Sequence, residues 1–98
     1  MQTLSIDGPL NIYNVEAFQQ QLDDKLAAQQ DIAVDLSHVS EMDATGLQCL
    51  LYAQRELAAA EHHLLLQDPS PTVVQLLGLC GCDDLLASAR FSSDSATQ

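Results

Sequence analysis

The side chains with the greatest chemical potential crowd into one run, Asp35-Leu36-Ser37-His38-Val39-Ser40-Glu41-Met42-Asp43-Ala44-Thr45-Gly46-Leu47. Asp43, Thr45 and Gly46 suit the opening of a helix, where unpaired backbone N–H groups and a partial charge of roughly +0.5 await an acceptor. Asp43 supplies a capping carboxylate, Thr45 a hydroxyl at the helix mouth, and Gly46 a place where other backbone can approach closely. Asp35, Ser37 and His38 are the residue types of a hydrolytic triad. They are packed into four consecutive positions with no nucleophile elbow, so the sequence argues against an enzyme.

Other pairs have simpler readings. Cys80-Gly81-Cys82 is a single C-x-C with no second pair, which fits packing at a helix end better than a metal site. His62-His63 falls where a helix ends, and histidine suits the negative end of a helix dipole. Asp23-Asp24 and Asp83-Asp84 read as solvated faces, since paired carboxylates need a cleft before they do acid–base work. No phosphate-cradling glycine loop is present. The sequence thus implies no metal and no cofactor.

At the scale of the whole chain, 98 residues make one domain, and 47% apolar residues suffice for a core. Lys plus Arg number 3 against 14 Asp plus Glu, a net charge of −11. Phosphate backbones and anionic lipid surfaces repel such a chain, which disfavours nucleic acid and direct membrane insertion and favours a partner with a basic patch. No apolar run approaches the roughly 20 residues of a membrane span. The start of the chain lacks a signal-peptide pattern. Three cysteines, an odd number, point to reduced thiols and a cytoplasmic location.

The elements that must position these residues follow from periodicity. Gln2 to Asp7 alternates polar and apolar as a strand, Gly8-Pro9 turns the chain, and Leu10-Asn11-Ile12 returns as the second arm of a hairpin. Asn14 caps a helix that carries Val15, Phe18, Leu22 and Leu26 on one stripe and runs to about Gln29. Ile32 to Leu36 reads as a central strand. A second helix runs from near Thr45 to about Glu61, with Leu47, Leu50 and Leu51 towards the sheet and Gln48, Cys49, Tyr52 and Arg55 on another face. His63 to Leu66 is a further strand. Ser70-Pro71 starts a third helix that Gly81 ends, and Asp83 to Leu86 adds a turn. The expectation is an α/β domain over 1–91, with a small mixed sheet of about four strands and helices mainly on one face. A disordered tail is expected over 92–98.

The order of these pieces resembles the STAS domain, the family of anti-sigma factor antagonists and sulfate-transporter cytoplasmic domains. Gly8-Pro9-Leu10-Asn11 matches the early hairpin exit and Val34-Asp35-Leu36-Ser37 the central strand. Asp43 to Leu47 matches the signature loop, and Asp68-Pro69-Ser70-Pro71 with Val73 and Leu77 the entry to the last helix. The resemblance implies a non-enzymatic protein-binding regulator that works by partner switching on a kinase-like anti-sigma factor or another signalling kinase. Two further roles are implied by free-standing relatives: an adaptor in chemotaxis or two-component signalling, and a subunit of a membrane-lipid ABC transporter. The implied working surface is Asn11, Ile12 and Tyr13 with Met42, Asp43, Ala44, Thr45, Gly46 and Gln48.

In that family a partner kinase phosphorylates the hydroxyl directly after the aspartate, and the new charge disrupts the interface. This sequence has Ala44 there, which accepts no phosphate. Either the switch has moved to Thr45, or binding is not switched by phosphorylation. Asn11 also departs from the acidic residue that some members carry at the hairpin.

Overall fold

The computed structural model describes residues 2–91. Its elements are β1 (Gln2–Asp7), α1 (Val15–Leu26), β2 (Ile32–His38), α2 (Ala44–Ala59), β3 (Leu64–Gln67), α3 (Pro71–Leu79), α4 (Asp83–Ala87) and β4 (Ala89–Arg90). The expected tail over 92–98 lies outside the described residues. The four strands form one sheet in the order β1-β2-β3-β4, and every neighbouring pair is parallel. Strand-to-strand crossovers between parallel neighbours are right-handed, so a sheet wound steadily in one direction receives all its helices on the same face.

Side-chain alternation agrees with that arrangement. Leu4, Val34 and Leu66 stand in register and are buried. Their neighbours Ser5, Asp35 and Gln67, also in register, point to the opposite face and remain exposed or half-buried. The helices therefore cover one face, as the sequence leads one to expect. Phe18 and Leu22 of α1, Leu47, Leu50, Ala53 and Leu57 of α2, and Val73 and Leu77 of α3 are all buried in the core. Burying a leucine of this kind stabilises the fold by about 1.5–3 kcal/mol.

The hairpin expected at the N-terminus is not formed, and the sheet is parallel rather than mixed. Gly8 has φ +86° and lets the chain jog without reversing. Its N–H then donates to the His38 carbonyl at 2.9 Å, Leu10 N–H donates to Glu41 O at 2.8 Å, and Leu10 bridges Met42 in parallel. Residues 8–10 thus continue the β1–β2 pairing beyond an irregularity between Ser5 and Asp7.

Helix ends are set by local chemistry. Asn14 does occupy the N-cap of α1, but its side chain does not cap the helix. It accepts instead from Asn11 N–H at 2.8 Å and folds the 11–14 turn. α1 and α2 stop at Leu26 and Ala59, short of the expected Gln29 and Glu61, both of which adopt positive φ in the exits. Ser70 caps α3 as expected: its hydroxyl accepts from Val73 N–H at 3.4 Å and donates to Val39 O at 2.9 Å. Gly81, with φ +68°, ends the helix that Pro71 begins.

Cys49, expected with Tyr52 and Arg55 on another face of α2 from Leu50, is buried because α1 packs along that side, and its thiol donates to Gln19 Oε1 at 3.1 Å. Cys80, expected to pack at the helix end, is exposed at the α3 exit, and all three cysteines are free thiols.

Candidate functional site

The mouth of α2 is organised by one carboxylate. Asp43 has extended backbone (φ −116°, ψ −172°), which turns its side chain over the first helical turn. Oδ1 accepts from Thr45 N–H at 3.0 Å, Gly46 N–H at 3.3 Å and the Thr45 hydroxyl at 2.5 Å. Oδ2 accepts from Ile12 N–H at 3.3 Å. A single side chain thus satisfies the helix end with one oxygen and holds the segment after β1 with the other. The Thr45 hydroxyl bond lowers the Asp43 pKa most, desolvation opposes it, and the N–H groups of Gly46, Ile12 and Thr45 lower it further. The carboxylate is therefore charged at neutral pH.

Around this clamp the side chains divide into platform and surface. Met42 is 8% exposed, and Gly46 is buried against Leu10, so neither offers a side chain to a partner. Both belong to the working surface that the sequence leads one to expect; the extension of β1 lies over them. Gly46 is required there, because a Cβ would stand 2.7 Å from the Leu10 carbonyl oxygen. Ala44 and Gln48 are exposed, and Asn11 and Thr45 are half-buried.

Ile12 and Tyr13 project outward at 62% and 92% exposure. Their backbone is nevertheless held. Asn11 Oδ1 accepts from Tyr13 N–H at 3.0 Å, while Asn14 N–H and Val15 N–H both donate to Asn11 O. The structure thus ties the Asn11 to Tyr13 turn to Asp43 through Ile12 N–H. The Leu10 contribution carries no signal in sequence, since it acts through its main chain.

The remaining chemical candidates gather without forming a reaction centre. Ser37 Oγ donates to Asp35 Oδ1 at 2.7 Å and lies 3.3 Å from His38 Nδ1, and that same nitrogen is 3.6 Å from Asp7 Oδ1. A triad needs serine and carboxylate on opposite ring nitrogens. Here both share Nδ1, and His38 is exposed. His62 and His63 both engage Asp31: His62 Nδ1 is 3.5 Å from Oδ1, and His63 N–H donates to Oδ1 at 2.8 Å. Among the described residues no three His, Cys, Asp or Glu side chains converge for a metal ion. No helix among them is long and apolar enough to cross a membrane.

The family model for the STAS domain matches residues 2–97. No curated protein matches the chain. Among solved structures, a candidate anti-sigma factor antagonist from Thermotoga maritima is 21% identical with a TM-score of 0.79, over 97% of this chain and 81% of that one. The anti-sigma factor antagonist SpoIIAA in its unphosphorylated form is 22% identical with a TM-score of 0.76, over 97% and 82%. The STAS domain of a SulP transporter from Vibrio cholerae is 18% identical with a TM-score of 0.70, over 93% and 72%. At these identities the likeness is one of fold.

Proposed function

This chain belongs to the STAS domain family, and from that premise we propose that it is a non-enzymatic, cytoplasmic regulator that binds a signalling kinase of the anti-sigma type through the mouth of α2. The observation that carries the reading is the exposed pair Ile12 and Tyr13, tied to the mouth of α2 by the bond from Ile12 N–H to Asp43. Apolar and aromatic side chains held in advance on ordered backbone lose little entropy on binding, and aromatic anchors dominate interface energies. The net charge of −11 favours a partner with a basic patch and speeds the encounter. Similarity in fold to SpoIIAA, an anti-sigma factor antagonist, and to the candidate antagonist from Thermotoga maritima supports the partner class.

The surface works without a phosphate switch at Ala44, which has no hydroxyl. Thr45 is a poor substitute. Its hydroxyl is committed to Asp43, and a phosphate there would break that bond beside a carboxylate. Regulation then rests on competition between partners or on abundance.

The test is capture from native cell extract on the immobilised chain, comparing it with Ile12→Ser/Tyr13→Ser. The chain should retain a signalling kinase of the anti-sigma type that the double variant loses, while both unfold at the same temperature because the two side chains are exposed. Equal capture by both rejects the surface. Retention of a transporter ATPase or a chemotaxis kinase rejects the partner class and keeps the surface. Incubation with ATP and extract should add no phosphate by intact mass; a gain abolished in Thr45→Val would place a switch at Thr45.

A further inference from the structure

At the far end of α2 the helical layer is incomplete. β4 pairs only with Leu66 and Gln67, leaving Leu64 and Leu65 without a strand on that side, and α4 spans just 5 residues. The gap is a cavity of about 810 Å³ between α2 and α4, within the roughly 300–1,000 Å³ typical of small-molecule sites. Leu51, Ala58, Leu64, Leu65 and Ala87 give it apolar walls.

Its charged lining is out of character with the rest of the chain. The sequence has 3 Lys and Arg residues in all, and both arginines, Arg55 and Arg90, line this cavity together with His62 and His63. Among the described residues the Arg55 side chain has no ion pair or hydrogen bond, and Arg90 Nη1 donates only to the carbonyls of Ala89 at 3.0 Å and Ala87 at 3.4 Å. Those two bonds orient Arg90 without cancelling its charge. Of the two carboxylates present, Asp31 accepts from the main-chain N–H of His63 and stands 3.5 Å from His62 Nδ1, contacts that orient it without cancelling its charge. The other, Asp84, stands on the border with an adjoining recess that the arginines do not line. In a chain of net charge −11, a lining that sets two arginines against two aspartates is locally neutral, and neither guanidinium pairs with those carboxylates.

We propose that the cavity between α2 and α4 binds a small organic anion, a carboxylate or phosphate monoester with an apolar body. Arg55 and Arg90 take the oxyanion, which matches the planar fork of a guanidinium. The body lies over Leu51, Ala58 and Leu64. The site is separate from the mouth of α2 and does not depend on the partner proposed for it.

Titration of the ¹⁵N-labelled chain followed by NMR tests this directly. Phenyl phosphate and hexanoate are the probes, with inorganic phosphate and hexanol as controls for charge alone and body alone. At least one probe should give saturating shifts at the amides of Leu64, Leu65, Ala87 and Ser88, and hexanol should give none there. Whichever of the two saturates identifies the oxyanion. Arg55→Gln and Arg90→Gln should each weaken binding by about tenfold or more, and Arg55→Lys by less, since it keeps charge but loses the fork. The exposed positions of both arginines keep the variants folded, which the same spectra verify. The proposal is overturned if neither probe saturates by about 10 mM, well beyond millimolar affinity. It is equally overturned if shifts fall elsewhere, if hexanol matches the anions, or if the arginine variants bind as the parent does.

Discussion

Gly46 and Gly78 both lie within helices, and replacing each by alanine should move stability in opposite directions. At Gly78 in α3 an added Cβ meets nothing within 4 Å. The variant there keeps the helical propensity gain and the loss of unfolded-chain entropy, and should be more stable by about 0.5–1 kcal/mol. At Gly46 the same Cβ would lie 2.7 Å from Leu10 O, 2.9 Å from Leu10 Cγ and 3.1 Å from Met42 Cγ. The carbonyl cannot rotate away, because it belongs to the bridge with Met42 and already accepts from Asp43 N–H at a long 3.4 Å. Relief requires the Leu10 segment to lift off α2. Overpacking costs about 1–3 kcal/mol, and weakening the bridge adds about 0.5–1.5 kcal/mol per bond. Against these stands a propensity gain of about 1 kcal/mol, leaving a net loss of about 1–3 kcal/mol. The two variants should therefore differ by about 2–4 kcal/mol, at about 4–8 °C in Tm for each kcal/mol in a domain of this size. Urea unfolding followed by circular dichroism measures both. A Gly46→Ala protein as stable as its parent would refute the close approach, and with it the seating of Ile12 and Tyr13.

Three other outcomes are open to measurement. Asp43 titrates below its ordinary value of 3.8 in the folded protein, so its charge contributes stability that is present above that value and lost as pH falls through the native pKa. The advantage of the parent over Asp43→Asn, which keeps a capping group, should hold steady at about pH 5–7 and shrink below about pH 4; a gap that stays constant into acid would contradict the clamp. Ser70→Ala removes a buried hydroxyl that bonds both Val39 O and Val73 N–H, and should cost about 1–3 kcal/mol in urea unfolding; a neutral substitution would show the cap to be idle. Burial, reinforced by the charge of Asp23, pushes the Cys49 thiol pKa up, whereas Cys80 is exposed. A thiol reagent at neutral pH should modify Cys80 first and Cys49 only on unfolding, and early modification of Cys49 would mean that the α1–α2 seam opens readily.

The residues disclose whatever is decided locally. Val15, Phe18, Leu22 and Leu26 reveal a helix because period and burial coincide, and Ser70-Pro71 and Asp43 reveal caps because a cap is settled within three residues. Gly8-Pro9 signals a change of direction but not its outcome. The bonds that decide it come from His38 and Glu41, about thirty positions away, and they draw the chain forward into parallel pairing. The partner of Cys49 is hidden for a similar reason, since a helical stripe shows which face is apolar but not that Gln19 of α1 lies against its neighbour. At the site, the Asp43 and Thr45 cap is legible. The hold of Asp43 on Ile12 N–H is not, because a main-chain donor leaves no mark on residue type.

The steady order of the strands bears on how the molecule is made. Each strand pairs with the one just before it in the chain, so a polypeptide emerging from the ribosome lays every new segment against an edge already in place. No later piece has to be threaded between earlier ones, as happens when a sheet grows from its middle in both directions. Search distances stay short and assembly can keep pace with synthesis. Each parallel pairing waits for its own crossover, and the first of them, β1 with β2, continued to Leu10 and Met42, builds the seat beneath Ile12 and Tyr13. The proposed binding surface is thus among the earliest parts of the molecule to take shape.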